Sequence, residues 1–269
     1  MWSEKRARSA RNVLFAFALA TLALPAAAPA SAQEQQPFET WLAELRAEAA
    51  GQGIRADILD AALNGLDPIE RVVELDRSQP EFTLTMETYL TRVVPESRVE
   101  RGKRLLNENR ELLDAIWQAY GVQPRFVVAF WAIESDFGRA TGGFSVIRAL
   151  ATLAWDPRRA RFFRAELMAA LQILNEGHVT VDAMTGSWAG AMGQTQFLPS
   201  VYLRSAVDFD GDGRKDIWNS SADALASAAH HLSNLGWKGD QTWGREILLP
   251  TDFNTSLASL DIERLIGQW

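Results

Sequence analysis

Apolar residues recur at every third or fourth position along most of the chain, which is the spacing of one buried helix face. Each run is followed by a glycine, a residue that commonly terminates helices. Six runs predict helices, around residues 38–45, 58–63, 105–120, 126–137, 163–174 and 225–235. Only a short stretch, residues 245–249, is typical of a strand. The pattern therefore predicts a mainly α protein.

The first 32 residues have the pattern of a secretory signal peptide. A basic start, an apolar run over residues 13–24 and the small-residue sequence Ala30-Ser31-Ala32 follow one another. The apolar run is shorter than a membrane-spanning helix requires, so an uncleaved anchor is the weaker alternative. We expect cleavage after Ala32 and export to the periplasm.

Composition narrows the function classes. The chain has 269 residues, a net charge of −7 and no cysteine. The negative charge argues against a nucleic-acid partner. The absence of cysteine excludes disulfides and a lipid-modified cysteine, so no membrane anchor is expected after signal cleavage. Three histidines leave little room for an imidazole-based metal site.

Glu134 is the residue that stands out. It ends an apolar segment and shares a predicted helix face with Phe130, Trp131 and Phe137. A carboxyl among aromatic rings is desolvated, which raises its pKa and suits a general acid in sugar cleavage. Asp136 is turned away by about 200° and is not its partner on this face. A helix-end glutamate paired with an arginine is an equally good interpretation of this segment alone.

A glycine-rich loop covers residues 186–200. Its glycines and alanines would let the backbone pass close to a ligand, and Ser187, Gln194 and Gln196 offer groups suited to sugar hydroxyls. The loop lacks the ending of a phosphate-binding loop, and Ser187 is misplaced for a serine-hydrolase elbow. Taken by itself, the loop is more safely interpreted as a tight packing loop between helices.

An acidic loop at residues 208–219 resembles a calcium-binding loop. Oxygen-bearing residues occupy positions 1, 3, 5 and 9, and Gly213 occupies position 6, where the chain must turn sharply. Asn219 replaces the usual bidentate glutamate at position 12, which predicts weak affinity. A solvated loop of Asx turns is the alternative. The candidate ligands are Asp208, Asp210, Asp212, the carbonyl of Arg214, Asp216 and, from the next helix, Asp223.

Four motifs in this order resemble the lytic murein transglycosylase B family: residues 131–138, 149–153, 186–199 and the acidic loop. The resemblance runs from about Phe38 to the last residue. It implies a lysozyme-like catalytic core with an EF-hand-type calcium loop, an N-terminal helical domain and an incomplete C-terminal β segment. The expected divisions are a signal peptide (1–32), the helical domain (33–95), the core (96–243) with its calcium loop (208–223), and the start of a truncated C-terminal segment (244–269).

The resemblance implies that Glu134 is the single catalytic acid and base. It would protonate the glycosidic oxygen between N-acetylmuramic acid and N-acetylglucosamine in peptidoglycan. It would then take a proton from the muramoyl C6 hydroxyl, which closes a 1,6-anhydro ring. By motif position, Ser187 and Gln196 match sugar-contacting residues and Tyr89 is a weaker match. His231 stands where relatives can have a tyrosine, a departure that weakens one stacking contact. The resemblance also implies a structural calcium ion and no organic cofactor, with glycan strands as the partner.

Two other functions remain open. A hydrolytic muramidase on a similar fold would need a second carboxylate or a positioned water near Glu134. A non-catalytic peptidoglycan-binding protein is the rival from another class, because family members usually continue past residue 269 with further substrate-site residues. A calcium-binding scaffold without a sugar role is disfavoured by the aromatic surroundings of Glu134.

Overall fold

The computed structural model describes residues 35–78, 85–241, 244, 247–259, 261–265 and 267. The predicted signal peptide, residues 1–32, lies outside these residues. Among the described helices, none combines the length and the apolar character needed to cross a bilayer.

Helices dominate the described residues, which confirms the mainly α class. Two short antiparallel strands, β1 (Phe144–Ser145) and β2 (Thr185–Gly186), pair Phe144 with Gly186. A 3-10 turn covers Thr255–Leu257. The helices are α1 (Phe38–Gly51), α2 (Ala56–Leu63), α3 (Glu70–Arg77), α4 (Met86–Val93), α5 (Glu96–Glu108), α6 (Arg110–Tyr120), α7 (Pro124–Ser135), α8 (Val146–Trp155), α9 (Ala160–Glu176), α10 (Pro199–Ser205) and α11 (Ser221–Asn234).

Local sequence explains where α7 lies. Gly121 ends α6 in the left-handed conformation, at φ 72°, where glycine has no steric penalty. Pro124 then occupies the first turn of α7, where its fixed φ favours a helix and no hydrogen bond is lost. These two residues set the direction in which α7 leaves the preceding turn.

The helix α8 is the most buried element. Eight of its ten residues are buried, and it packs against α9. Its N-terminus follows β1 directly and is capped by Ser145, whose Oγ accepts a hydrogen bond from the backbone N–H of Arg148. Because β1 pairs with β2, the start of α8 also fixes the start of the glycine-rich loop.

Buried apolar side chains form two clusters. The larger one joins residues of α1, α2 and α3 with residues of α8, α9 and α10. The smaller one joins α6, α7 and α11. A buried carboxylate reinforces the first cluster, because Asp76 at the end of α3 pairs with Arg158 and Arg159 in the turn before α9.

Four helices, α3, α4, α8 and α10, were not predicted from the sequence, and three details of the predicted elements also differ. The single run over residues 105–120 is broken at Asn109 into α5 and α6. The helix predicted over residues 126–137 ends earlier, at Ser135. The strand predicted at 245–249 is wrong for its described part, since residues 247–249 form no strand, and residues 245 and 246 lie outside the described chain.

Candidate active site

The chain leaves α7 through an unusual turn. Asp136, Phe137 and Gly138 have successive positive φ angles of 49°, 62° and 79°. Non-glycine residues rarely adopt this conformation and keep it only when surrounding contacts enforce it. The Ser135 hydroxyl supplies two such contacts: it donates to the carbonyl of Gln194 at 2.6 Å and accepts from the N–H of Gly138 at 3.0 Å.

Two ion pairs hold the Asp136 carboxylate away from Glu134, which lies two positions earlier in the chain. Its carboxylate pairs with Arg98 from α5 at 3.3 Å and with Arg139 at 3.5 Å. The turn is also closed inside the core, where buried Phe137 meets Trp131 edge to face with 5.6 Å between ring centroids. The end of α7 is therefore fixed on both sides.

Glu134 occupies the last turn of α7. No hydrogen bond or ion pair to its carboxylate occurs among the described residues, so the helix-end pairing with an arginine is not found there. The side chain is exposed, yet partial burial of the carboxyl raises its pKa above the ordinary glutamate value. A carboxyl that is open to a ligand and also partly desolvated is suited to proton transfer.

The glycines of the loop serve packing inside the protein. A Cβ on Gly190 would come within 2.4 Å of the Leu150 side chain on α8. A Cβ on Gly193 would come within 2.6 Å of the carbonyl oxygen of Ile217. Both glycines also have positive φ angles, 85° and 60°. Their close approach is to α8 and to the last part of the acidic loop, which is what the packing interpretation of the glycine-rich loop predicted.

Ser187 and Gln196 lie at the two ends of this loop and are partly exposed. The Ser187 hydroxyl accepts hydrogen bonds from the N–H groups of Ala189 and Ala191, at 3.3 and 3.0 Å. The Gln196 amide donates to the carbonyls of Thr141 and Gly193, at 3.0 and 2.9 Å. In this arrangement the amide nitrogen of Gln196 is anchored, and its carbonyl oxygen can accept a hydrogen bond from a ligand.

Gln194 has a different role from the one its sequence suggested. It is buried, with 6% of its surface exposed, so it does not face a sugar. Its side chain accepts from Trp131 Nε1 at 2.9 Å and donates to the carbonyl of Trp218 at 3.2 Å. Its backbone carbonyl accepts from Ser135. Gln194 thus ties the glycine-rich loop to the residues on both sides of Glu134, a role that residue type alone does not reveal.

Tyr89 and His231 lie on separate elements. Tyr89 is exposed on α4. His231 on α11 packs against Phe197, with 5.2 Å between ring centroids, and its Nδ1 lies 3.1 Å from the Ser205 hydroxyl. Phe197 in turn meets Phe130, one turn before Glu134. His231 is therefore connected to the end of α7 through two rings, and its burial lowers its pKa.

The acidic loop brings three carboxylates together. Oxygen atoms of Asp208, Asp210 and Asp212 lie within 4.8 Å of one another. Asp223, buried at the start of α11, accepts hydrogen bonds from the N–H groups of three loop residues, the closest at 2.7 and 2.8 Å, and burial raises its pKa. Asp216 accepts from Trp218 and Asn219. A set of clustered carboxylate oxygens matches the ligands that calcium prefers.

The helical fold, with Glu134 on a helix that the glycine-rich loop packs against, is that of proteins with a lysozyme-like core. A family model described as the transglycosylase SLT domain matches residues 37–269. The chain belongs to this family, and the resemblance drawn from four sequence motifs is confirmed.

Known proteins show the same relationship. The chain is 37% identical over 173 residues to membrane-bound lytic murein transglycosylase B of Escherichia coli (strain K12), covering 62% of this chain and 48% of the relative. SltB3 from Pseudomonas aeruginosa, solved in complex with NAG-anhNAM-pentapeptide, is 47% identical with a TM-score of 0.84, covering 87% of this chain and 62% of SltB3. Escherichia coli Slt35, solved in complex with calcium, is 30% identical with a TM-score of 0.68, covering 75% and 64%. The chain thus spans about half to two thirds of these relatives.

Proposed function

We propose that this protein is a peptidoglycan lytic transglycosylase, which cleaves the β-1,4 bond between N-acetylmuramic acid and N-acetylglucosamine and leaves a 1,6-anhydromuramoyl end. The observation that carries the proposal is Glu134, a partly desolvated carboxyl at the fixed end of α7 that has no partner within the described part of the chain. Support comes from SltB3, which was solved with both NAG-NAM-pentapeptide and NAG-anhNAM-pentapeptide.

One carboxyl is enough for this reaction. Protonated Glu134 gives its proton to the glycosidic oxygen, and the bond from that oxygen to the muramoyl C1 breaks. The muramoyl C6 hydroxyl attacks C1, and the Glu134 carboxylate takes the hydroxyl proton as the ring closes. Because the nucleophile belongs to the substrate, no second carboxylate is required, unlike in ordinary glycosidases. The ion pairs of Asp136 with Arg98 and Arg139 agree with a mechanism that leaves Asp136 out.

The substrate contacts belong to the same proposal. Ser187 and Gln196 bind the sugar next to the cleaved bond. The side-chain nitrogen of Gln196 is already hydrogen-bonded, so its side-chain carbonyl oxygen accepts the hydrogen bond from the sugar. Tyr89 offers an exposed ring for stacking on a sugar face. His231 makes a weaker contact, since its ring already packs against Phe197.

Calcium would have a structural role in the acidic loop. The ion would be held by Asp208, Asp210, Asp212, the carbonyl of Arg214 and Asp216, while Asp223 orders the loop backbone. The calcium complex of Slt35 supports this assignment. When bound, the ion supplies charge neutralisation and rigidity to the loop. The predicted signal peptide supports a periplasmic location, where peptidoglycan is found.

Digestion of peptidoglycan tests the function. Purified residues 33–269 are incubated with peptidoglycan sacculi, and the products are identified by mass spectrometry. We expect 1,6-anhydromuramoyl products that disappear in Glu134→Gln. Glu108→Gln, at the end of α5, is the matched control, because Glu108 is an exposed helix-end glutamate paired only with Arg104 in the described structure.

Two outcomes would replace the proposal. Reducing-end products, one water heavier, would make the protein a hydrolytic muramidase and would require a second carboxylate or a positioned water. Retention on peptidoglycan without any product would favour a binding protein.

A further inference from the structure

A cavity of about 420 Å³ lies between α5 and α7, lined also by the end of α4. Its lining residues on α7 include Arg125 and Ala132, which are turned from Glu134 by about 180° and 200° at roughly 100° per residue. The cavity therefore opens on the opposite face of α7 from the candidate catalytic carboxyl. Its size lies within the range of small-molecule binding sites.

The walls of this cavity are almost entirely hydrocarbon. Its apolar lining includes Val94, Val99, Leu106, Ala129 and Ile133. Among the lining residues that the structure describes there is no serine, threonine, asparagine, glutamine or carboxylate. A glycan would find no partners for its hydroxyl groups here, and burying them unpaired would be unfavourable.

Exposed apolar side chains also occur on α4, whose last residue lines the cavity. Val94 and Ile133, at its mouth, are exposed, and the neighbouring helix α4 has no buried residue. Met86 and Leu90 on α4 are exposed as well. Contiguous exposed apolar surface around a concavity is typical of a binding site.

The charged residues at the cavity are all basic. Arg98, Lys103 and Arg125 line it, although the whole chain carries a net charge of −7. Arg98 is engaged by Asp136, and Lys103 forms an exposed pair with Glu100. The Arg125 guanidinium lies over the Phe126 ring, 4.9 Å from its centroid, and within the described residues it forms no ion pair. Arg125 is thus the cation available to an incoming anion.

We propose that this cavity binds a single-chain anionic amphiphile, with the hydrocarbon chain between α5 and α7 and the carboxylate at Arg125. The apolar cavity suits a hydrocarbon chain. Asp136 and Glu100 pair with Arg98 and Lys103, so Arg125 is the lining cation left without an ion pair in the described structure, and it sets the sign of the head group. A fatty acid has this chemistry. The cavity lies on the face of α7 opposite Glu134, and it shares Arg98 and Phe137 with the turn that fixes the end of α7.

Calorimetric titration of residues 33–269 with dodecanoate, below its micelle concentration, tests the proposal. We expect saturable binding that weakens about fourfold for each methylene removed, in decanoate and then octanoate, because each buried methylene contributes a constant increment. Dodecyltrimethylammonium, which has the same chain and the opposite charge, should bind at least tenfold more weakly than dodecanoate.

Two pairs of variants locate the site. Ala129→Trp fills the cavity from an exposed helix position and should abolish binding, whereas Ala119→Trp on the exposed face of α6 should not. Arg125→Gln should weaken dodecanoate binding about threefold to fivefold, whereas Arg104→Gln, on α5 but away from the cavity, should leave it unchanged. Circular dichroism confirms that each variant is folded.

Several results would overturn the proposal. Undetectable dodecanoate binding, equal binding of the cationic amphiphile, or full binding by folded Ala129→Trp would each exclude it. A dimer in sedimentation experiments that Ala129→Trp dissociates, and that dodecanoate does not, would instead make this face an interface between two copies. Digestion of peptidoglycan by Ala129→Trp is measured in parallel. Loss of dodecanoate binding can then be distinguished from loss of the proposed glycan cleavage.

Discussion

At the scale of single residues, the end of α7 combines a fixed backbone with a free carboxyl. Ser135 and Gln194 hold the turn, and Asp136 is neutralised by two arginines. Glu134 alone is left without such a partner in the described structure, and partial burial raises its pKa. A carboxyl arranged in this way can stabilise a bound transition state, but it lowers the folding stability of the free protein, as is common at active sites.

Glu134→Gln should therefore stabilise the protein near neutral pH. Because the folded pKa is raised, ionised Glu134 is less stable in the folded chain than in the unfolded chain, and this cost is present above the folded pKa. The cost shrinks as the pH falls through the folded pKa and is gone only below the ordinary value of 4.5, where both states bind the proton. Thermal melts between pH 4.5 and 7.5 should show a gain below about 1 kcal/mol, since the carboxyl is partly solvated. A gain that grows as the pH falls would contradict this.

Gln194→Met should lower both stability and turnover. The substitution leaves Trp131 Nε1 and the Trp218 carbonyl without their partner, which costs about 1–3 kcal/mol for the buried Trp131 group and less for the partly buried carbonyl. Because Gln194 fixes the residues around Glu134, kcat should fall more than KM rises. Urea unfolding and initial rates measure the two effects, with Gln172→Met on α9 as control. Lost stability with unchanged kcat would limit Gln194 to a structural role.

At the scale of elements, periodicity predicted several amphipathic helices but missed the buried helix α8 and the short helices α3, α4 and α10. The runs that became α1, α2, α9 and α11 have one apolar face, and the sequence predicted them. The helix α8 was not predicted as a helix, because it is buried on nearly all sides and has no periodic contrast. Residues 105–120 appeared continuous because Leu105 and Leu106 of α5 pack against the same cluster as α6, and nothing in the pattern indicates the turn at Asn109.

The residues of the candidate site also differ in how well the sequence predicted their roles. Glu134 was recognisable because a carboxylate interrupts an apolar run. The clustering of Asp208, Asp210 and Asp212 followed from their spacing. Gln194 was not assigned correctly, because an amide offers the same groups to a sugar and to a buried network, and only three-dimensional packing distinguishes the two.

Calcium should stabilise the protein through the acidic loop. With a dissociation constant of about 0.1–1 mM, as expected without the bidentate glutamate, 10 mM calcium adds about 1.4–2.7 kcal/mol. Thermal melts with calcium, magnesium and chelator measure this gain, which should be specific to calcium. Asp208→Asn should remove it, and Asp182→Asn, on an exposed turn outside the loop, should retain it. Equal melting temperatures with calcium and with chelator would exclude the ion from this loop.

At the scale of the whole molecule, the division between an N-terminal helical domain ending at residue 95 and a core beginning at residue 96 stays a prediction. Leu45, Leu59 and Val72, which precede that boundary, are buried in one cluster with Leu150 and Leu167, which follow it. Asp76 adds its ion pairs across the same junction. The helices α1, α2 and α3 therefore share one hydrophobic core with α8 and α9.

Residues 96–269 alone should consequently fold poorly. Removing α1 to α3 exposes the apolar side chains of α8 and α9 that pack against them. Losing the burial of four or five large side chains costs about 6–15 kcal/mol, at about 1.5–3 kcal/mol each. A domain of this size has a total stability of about 5–15 kcal/mol, so the loss is comparable to the whole. Residues 33–269 should show a cooperative melt by near-ultraviolet circular dichroism, and residues 96–269 should show none. A sharp transition in the shorter chain would mean that residues 96–269 form an autonomous unit, with α1 to α3 packed on a core that is stable without them.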